Sequence, residues 1–372
     1  MYVQSLNLAS FRNYERLDLE PSSGTNVLFG SNAQGKSAVL EAVYLLATSK
    51  SHRTSRDTDL IRIGDDQSRV YADVIRTAQN DVSLEMVLSR SEKKSVKVNK
   101  VRHPKIGDLV GQLNAVIFSS SDIDMVKGEP SLRRRFLNLE ISQTSPQYVY
   151  ALGRYKRVLD QRNNLLKEMK LSGGRSGGLD VWDNQLAEYG AAVIARRMKF
   201  SGFLATAAAK IYSSLSDGSE ELVVTYKPNL DASQCANESE VAARFAETLA
   251  AKRDIDMSRG TTTTGPHRDD LILTVDGLAA REYASQGQQR SVALALKLAE
   301  IDVLEESAGE SPVVLLDDVT AELDEKRRAR VFELTMGRSQ TIVTTTHLTE
   351  LDQLVVGSSA VFEVVSGTVT AK

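Results

Sequence analysis

Eight residues, Gly30-Ser-Asn-Ala-Gln-Gly-Lys-Ser37, have the spacing of a phosphate-holding loop: glycine, four residues, then glycine-lysine-serine. The two glycines let the backbone curl until its N–H groups point inward at phosphate oxygens. A helix starting where the loop ends adds a favourable dipole. Gly30, Ser31, Asn32, Ala33, Gln34 and Gly35 would form the cradle of a bound ATP. Lys36 would bridge the β- and γ-phosphates, and Ser37 would ligate Mg²⁺. The context supports the motif, since the apolar stretch Val27–Phe29 precedes it. Val39, Ala42, Val43 and Leu46 then put an apolar stripe on a following helix.

A second set of residues can complete such a site. Pro312-Val-Val-Leu-Leu-Asp-Asp318 is a continuous apolar strand ending in two carboxylates. Ligands bind at that end of the strands in open α/β sheets. Asp317 would hold Mg²⁺ and Asp318 would polarise an attacking water. His347 ends the next strand, Gln340–Thr346, where an imidazole can reach the γ-phosphate or the water. Ser285-Gln-Gly-Gln-Gln-Arg290 opens an amphipathic helix, Val292–Leu304. Ser285, the Gly287 backbone and the helix N-terminus make a second anion site, far along the chain from the first.

These residues need a scaffold. Val3–Leu8, Leu17–Leu19 and Val27–Phe29 read as short strands. Val70–Arg76, Val82–Ser89 and Ser95–Val101 read as further strands, mostly antiparallel, and Ala115–Phe118 as another. From Ser131 to about Leu215 the pattern is helical. Tyr148, Leu152, Tyr155, Leu159, Arg162, Leu166 and Met169 alternate by four and three; so do Trp182, Leu186, Tyr189, Val193, Arg196, Phe200 and Phe203. The turn Ser172–Gly178 between them predicts an antiparallel hairpin. Its arms reach only about 35–50 Å at ~1.5 Å per residue. Ordinary packing against the body is the alternative to a reaching arm. Folded about Arg175, the hairpin sets Arg162 opposite Tyr189 and Arg196 opposite Tyr155, predicting two cation–π stacks. After Glu221 strands and helices alternate again: strand Val313–Asp317, helix Asp324–Met336, strand Thr341–Thr346. That rhythm predicts a parallel sheet.

With 372 residues the chain exceeds one ordinary domain. Residues 1–128 and 256–372 read as two lobes of an α/β ATPase domain, with residues 129–255 an inserted helical arm domain. Hydrophobic residues make up 41% and charged residues 26%, a soluble balance with no membrane-length apolar run. A single cysteine, Cys235, excludes a disulfide framework and fits a reducing cytoplasm. The N-terminal residues do not read as a signal peptide. Net charge is −3, so any DNA contact must come from local basic patches. Candidates are Arg133 and Arg134 at the base of the arm, Lys156 and Arg157 on its first helix, and Arg197 on its second.

The pairing of the two anion sites resembles ABC-type ATPases, and most closely the group of SMC, Rad50 and RecF proteins. Within it the chain is similar to the RecF family. The carrying residues are Phe11-Arg-Asn-Tyr14, the Gly30–Ser37 loop with Leu40-Glu41-Ala42, and Ser51-His-Arg-Thr-Ser-Arg-Asp57. Arg133–Leu137, Gln161–Lys167, Gly265-Pro-His-Arg-Asp-Asp270, Ser285–Arg290, Leu315–Val319 and Glu322–Asp324 add to them. Ala33 departs from a frequent glycine and Ser120 from a common proline. Ser119–Asp122 holds no glutamine where ABC proteins usually carry one.

The resemblance implies a P-loop ATPase head whose two copies close on two ATPs. Arg12 and Asn13 would join Gly30–Ser37 at the nucleotide. Ser285, Gln286, Gly287 and Gln288 of one subunit would cap the ATP of the other, and Asp324 would touch the dimer seam. It implies weak, DNA-stimulated, dimer-dependent ATP hydrolysis in DNA replication, repair and the SOS response to damage. Double-stranded and gapped DNA, RecR with RecO, and indirectly RecA would be the partners. A small-molecule P-loop kinase would need no Ser285–Arg290 segment. A transporter ATPase subunit would lack the helical hairpin.

Overall fold

The computed structural model describes residues 1–172, 178–232, 235–318, 324–351 and 353–372. The residues that end in carboxylates, imidazole and phosphate loop all belong to one sheet. Its strands are β3 (Thr25–Phe29), β8 (Ala115–Phe118), β12 (Val313–Leu316), β13 (Thr341–Thr345), β14 (Ala360–Val365) and β15 (Thr368–Ala371), in the order β15-β14-β3-β13-β12-β8. All pairs are parallel except β14–β15. Val-Val-Leu-Leu of β12 and Thr-Ile-Val-Thr-Thr of β13 are buried throughout. Such uninterrupted burial requires cover on both faces, which the two hydrophobic cores provide.

Alternate residues of the central strands feed opposite cores. Leu28, Ile117, Leu315 and Ile342 enter one with helix α1 (Lys36–Thr48). Val27, Val116, Leu316 and Val343 enter the other with the long helices. The first core is roofed by a second sheet, β2-β1-β4-β5-β6-β7: β1 (Tyr2–Phe11), β2 (Tyr14–Leu19), β4 (Gln67–Ile75), β5 (Val82–Ser89), β6 (Ser95–Val98) and β7 (Val101–His103). It is antiparallel, and β5 alternates strictly between buried and half-buried positions, as a one-sided sheet must.

The other core is built by helices. They are α2 (Asp124–Lys127), α3 (Pro130–Thr144), α4 (Pro146–Ser172), α5 (Leu179–Leu215), α6 (Glu238–Ala251), α7 (Arg253–Arg259), α8 (Ala280–Tyr283) and α9 (Gln286–Ala308). A small sheet, β11-β10-β9, packs with them: β9 (Leu222–Lys227), β10 (Asp270–Val275) and β11 (Leu278–Ala279). Helices α10 (Glu325–Thr335) and α11 (Gln353–Gly357) complete the chain. The helices of residues 129–255 share their core with α9 rather than forming a third core. No helix of the described residues is long and apolar enough to cross a membrane.

The hairpin of α4 and α5 forms as expected, though its turn, residues 173–177, lies outside the described residues. It is packed into the body and does not reach away from it. Near its tip, Leu166, Met169 and Leu179 form a small cluster that α7 closes with Met257. Of the predicted series on α4, Tyr148, Tyr155, Arg162, Leu166 and Met169 are buried, while Leu152 and Leu159 are half-buried against the core. On α5 the buried arc is rotated and wider. Phe203 is 43% exposed, while Gly190, Ala191, Ile194 and Arg197 are buried. Helix α5 must face α6 as well as α4: a Cβ at Gly190 would stand 2.4 Å from Phe245 and 3.2 Å from Tyr155.

Neither expected cation–π stack forms. Arg162 is wholly buried and bonds Asp183 at 2.6 Å, Asp256 at 2.7 Å and Thr262 at 2.9 Å. Arg196 pairs with Glu238 at 3.2 Å. Tyr155 bonds His267 instead, at 2.6 Å. A buried guanidinium needs a carboxylate more than a ring face, since only the carboxylate neutralises its charge.

Candidate functional site

Strand order assembles the site. The parallel strands β3, β13 and β12 are neighbours, so the segments that leave their C-terminal ends meet at one edge. The Gly30–Ser37 loop follows β3, Asp317 and Asp318 follow β12, and His347 follows β13.

The loop is held open by its surroundings. Gly30 (φ 151°) lies so close to β14 that a Cβ would stand 2.3 Å from the Val364 carbonyl oxygen. At Gly35 (φ 116°) a Cβ would strike the Asn13 amide at 2.7 Å and the Tyr14 hydroxyl at 2.9 Å. Both positions therefore demand glycine on space and backbone grounds. Asn13 Nδ2 donates to the Gln34 carbonyl at 2.9 Å, and the Gln34 side chain accepts from Ser366 N–H at 2.6 Å. Lys36 Nζ donates to the carbonyls of Gly30 (2.5 Å) and Ser31 (2.9 Å), oxygens standing where phosphate oxygens could replace them.

Arg12 holds position by a different route. Its guanidinium takes both oxygens of the buried Glu41, at 2.7 and 2.8 Å, and its Nη1 donates to the Asp59 carbonyl at 2.9 Å. Glu41 also accepts from the Ser51 hydroxyl. One buried carboxylate thus ties together the turn before β2, helix α1 and the segment after it. That accounts for the Phe11–Tyr14, Leu40–Ala42 and Ser51–Asp57 segments physically. Arg12, Asn13, Asn32, Ala33, Gly35, Lys36, Ser37 and Asp318 share a groove of about 610 Å³. His347 lies across the loop in a second groove of about 550 Å³ with Gly30, Ser31 and Gln34.

The two acids are distinguished by their partners. Asp317 Oδ1 accepts from Thr344 Oγ1 at 3.0 Å, and its Oδ2 lies 3.9 Å from His52 Nε2. Burial alone would raise its pKa, but His52, Ser37 and Thr344 together hold it below the usual carboxylate value. Asp317 therefore stays ionised. Asp318 sits in the left-handed region (φ 53°), and its N–H donates to Thr344 Oγ1 at 2.8 Å. Asp is among the residues that tolerate that region. Thr344 and His52 were not anticipated as site residues. Only the position of Thr344 near the end of the adjacent strand could have signalled it; His52 carried no spacing signal.

Ser119, Ser120 and Asp122 share a cavity of about 210 Å³ with Asp317 and Arg290. Burial pushes Asp122 up to about 6 despite the charge of Lys297.

Ser285 caps α9: its Oγ accepts from Gln288 N–H at 3.2 Å, and Gln288 Oε1 accepts from Ser285 N–H at 2.7 Å. Ser285 and Gln286 are exposed, and neither they nor Gly287 nor Gln288 lines either groove beside the loop. Gln288 Nε2 donates to Glu220 at 2.9 Å. Asp324 caps α10 and pairs with Arg327, which donates to the Gly287 carbonyl at 3.0 Å and to Ser291. The Val319 and Glu322–Leu323 portions of the family segments lie outside the described residues.

The basic candidates divide. Arg133 is 6% exposed and grips Asp270 at 2.7 and 3.0 Å; Arg197 is 2% exposed and bonds Asp269, the Pro266 carbonyl, Tyr148 and Asn138. Both are corrected from DNA contacts to internal latches, because their guanidinium groups are already committed to buried acceptors. Arg134 is half-buried and donates to the Asp269 carbonyl at 2.8 Å. Lys156 and Arg157 are exposed. The Gly265–Asp270 segment is thus the acceptor for arginines from α3 and α5.

Against known proteins, the chain matches the RecF/RecN/SMC N terminal domain over residues 2–368. The DNA replication and repair protein RecF of Bacillus velezensis is 42% identical over 369 residues, 99% of each chain. That of Bacillus subtilis is 41% identical over the same coverage. A solved structure of the recombination mediator protein RecF with ATP, from the RecFOR pathway, superimposes with a TM-score of 0.92. It is 32% identical and covers 100% of this chain and 97% of that one. An Smc head bound to the C-winged helix domain of ScpA shares the fold, with a TM-score of 0.55 at 17% identity over 100% and 98% of the chains.

Proposed function

The chain belongs to the RecF family, and on that premise we propose that it is an ATP-gated DNA-binding protein of DNA replication and repair. ATP closes two copies on DNA at gaps or single/double-strand junctions and helps to load recombinase; hydrolysis opens them and releases the DNA. Residues 1–128 and 256–372 act as the two lobes of the head, and residues 129–255 as its helical arm unit. The observation that carries this reading is the division of the site. The loop, Asp317, Asp318 and His347 share one sheet edge, while the exposed cap of α9 lines neither groove beside them. One chain then supplies half of each of two composite sites, as an isologous dimer allows.

In the closed state Lys36 leaves the Gly30 and Ser31 carbonyls for the β- and γ-phosphates. The backbone N–H groups of the loop and of α1 hold the remaining phosphate oxygens. Asp318 orients and polarises the attacking water, and His347 lies on the other side of the loop to meet the γ-phosphate. Ser285, the Gly287 backbone and the start of α9 from the partner neutralise that phosphate, with Asp324 at the seam. Mg²⁺ fits the oxygen pair of Ser37 and an ionised Asp317, since such ions take one or two protein oxygens beside phosphate and water. When bound it would supply neutralisation of the phosphate charge. Hydrolysis in this arrangement is weak, and it requires the dimer and is stimulated by DNA. RecR with RecO, and through them RecA, are the partners that the family membership supports.

Light scattering with ATP, with ADP and without nucleotide tests the reading, alongside capture on gapped DNA. Dimerisation and DNA capture should both require ATP, and Lys36→Ala should lose nucleotide binding and both responses. DNA capture that is equal in all three nucleotide states would sink the gated clamp.

A further inference from the structure

Arg133 and Arg197 are committed to buried carboxylates, so other cations must meet DNA. A cleft of about 770 Å³ lies at the β7 edge of the antiparallel sheet, walled by β5–β7 and the segment after α1. Two of its cations are committed. Arg90 donates to the Asp65 carbonyl at 2.9 Å, and Lys94 pairs with Asp57 at 3.0 Å and donates to the Ser49 carbonyl at 2.8 Å. The other three, Arg56, Lys93 and Arg102, are exposed and make no ion pair among the described residues. Glu92 is the one acid of the cleft that no lysine or arginine neutralises among those residues.

The cleft continues onto α4. The turn after β7 packs on that helix so closely that a Cβ at Gly107 would stand 2.8 Å from Val149 Cγ1. Exposed Lys50, just past α1, joins the two surfaces electrically. Desolvation lowers the pKa of Lys94, and Lys50 lowers it further against the pull of Asp57. Lys156 is treated the same way: burial of its ammonium first, then the charges of Lys50 and Arg197, lower its pKa against the pull of Asp160. Lys50 therefore stands within reach of a cleft residue and of the α4 face, where Lys156 and Arg157 make no ion pair among the described residues.

We propose that this cleft, Lys50 and the Lys156–Arg157 face form one track for the phosphate backbone of duplex DNA. The proposal rests on the DNA-binding reading above and assigns its surface. On a chain of net charge −3, six such cations in one continuous strip are a local field that phosphates can neutralise. Such contacts fix register without reading sequence. No Phe, Tyr or Trp lines the cleft, and its one ring, His103, is engaged with Asp108 at 3.2 Å, so it offers unpaired bases a poor stacking platform. That favours a duplex over a single strand.

The test compares two triple variants of the full chain with ATP bound, on fluorescent gapped and blunt duplexes across a salt series. One variant is Arg56→Ala, Lys93→Ala, Arg102→Ala. The control removes equal charge from α5 and β9: Lys199→Ala, Lys210→Ala, Lys227→Ala. The track variant should bind duplex about tenfold more weakly for every sequence, and its plot of log affinity against log salt should be shallower by about 0.9 for each phosphate that the protein no longer neutralises. Nucleotide binding and ATP-dependent dimerisation should match the unaltered protein, and the control should keep its affinity. Unchanged affinity and slope in the track variant overturn the track and leave the cleft to an acidic protein surface. Equal losses in both variants overturn it as generic charge. An unaltered protein that binds duplex in no nucleotide state removes the DNA reading itself, a distinct outcome.

Discussion

At Ala33 the phosphate loop holds an L-residue at φ 64°, a conformation that favours glycine. An Ala33→Gly variant should gain stability, on the order of 1 kcal/mol, by relieving the crowding of Cβ against the backbone. A higher denaturation midpoint with nucleotide binding retained is the expected result. Asp318 also sits left-handed, and asparagine tolerates that region equally, so Asp318→Asn removes charge without disturbing the backbone. It should bind ATP, hydrolyse it far more slowly and accumulate as a dimer in light scattering; a persistently monomeric protein would refute the assigned role. His267 supplies a pH test. Its Nδ1 lies 2.6 Å from the Tyr155 hydroxyl and its Nε2 is 3.1 Å from the Thr262 carbonyl, the pattern of a neutral ring that accepts at one nitrogen and donates at the other. Burial first, then Arg268 and Arg134, lower its pKa from 6.5 to about 4. The unfolded chain then takes up a proton that the folded one refuses, so this contribution is complete above pH 6.5 and is lost as pH falls to about 4. His267→Asn should flatten that part of the stability profile in urea titrations.

Buried ion pairs help to fix the relative placement of the helices. Arg162 joins α4 to Asp183 of α5 and Asp256 of α7 with no exposed surface. Asp183 keeps Arg253 at 2.6 Å, but the buried Asp256 carboxylate loses its cation, so Arg162→Ala should cost about 3–5 kcal/mol by chemical denaturation. Its effect on DNA affinity should be no larger than that of lost folded protein. The periodicity of α4 and α5 was legible as a hairpin, but the buried arc of α5 was not. A helix with one neighbour keeps a narrow seam; α5 packs against α4, α6, α9 and β9, and the small residues Gly190 and Ala191 mark its close approach to them. Arg197 and Arg196 were distinguished by that rotation alone: the first is buried and latched, the second paired at the rim.

For the whole molecule, the proposed division of the site between two copies has a consequence that no single chain can show. Lys36→Ala and Ser285→Arg proteins should each be inactive in ATP hydrolysis. Mixed, only the heterodimer carries an intact composite site, one of its two, so hydrolysis should reappear at no more than about half of the normal rate per dimer. No recovery on mixing would place both halves of the site in one chain. The link from Asp324 through Arg327 to the Gly287 carbonyl is an internal strut between the residue proposed for the seam and the proposed cap. In the proposed dimer, closure on one ATP would therefore also position the cap offered to the other.

The sequence by itself determined the phosphate loop, the acidic strand end and the capped helix of Ser285. Each is a local motif whose residue types fix a backbone shape: glycines for a tight loop, unbroken apolar runs for a buried strand, Ser and Gln three apart for a cap. Tertiary structure decided what those motifs could not encode. Sheet order brought β13 between β3 and β12, and so put Thr344 and His347 beside the loop. Burial decided the arginines, since a guanidinium on the surface and one committed to Asp269 or Asp270 look alike in a sequence. Partners hundreds of residues apart meet only in the folded chain, so charge at a position is local information and the availability of that charge is not.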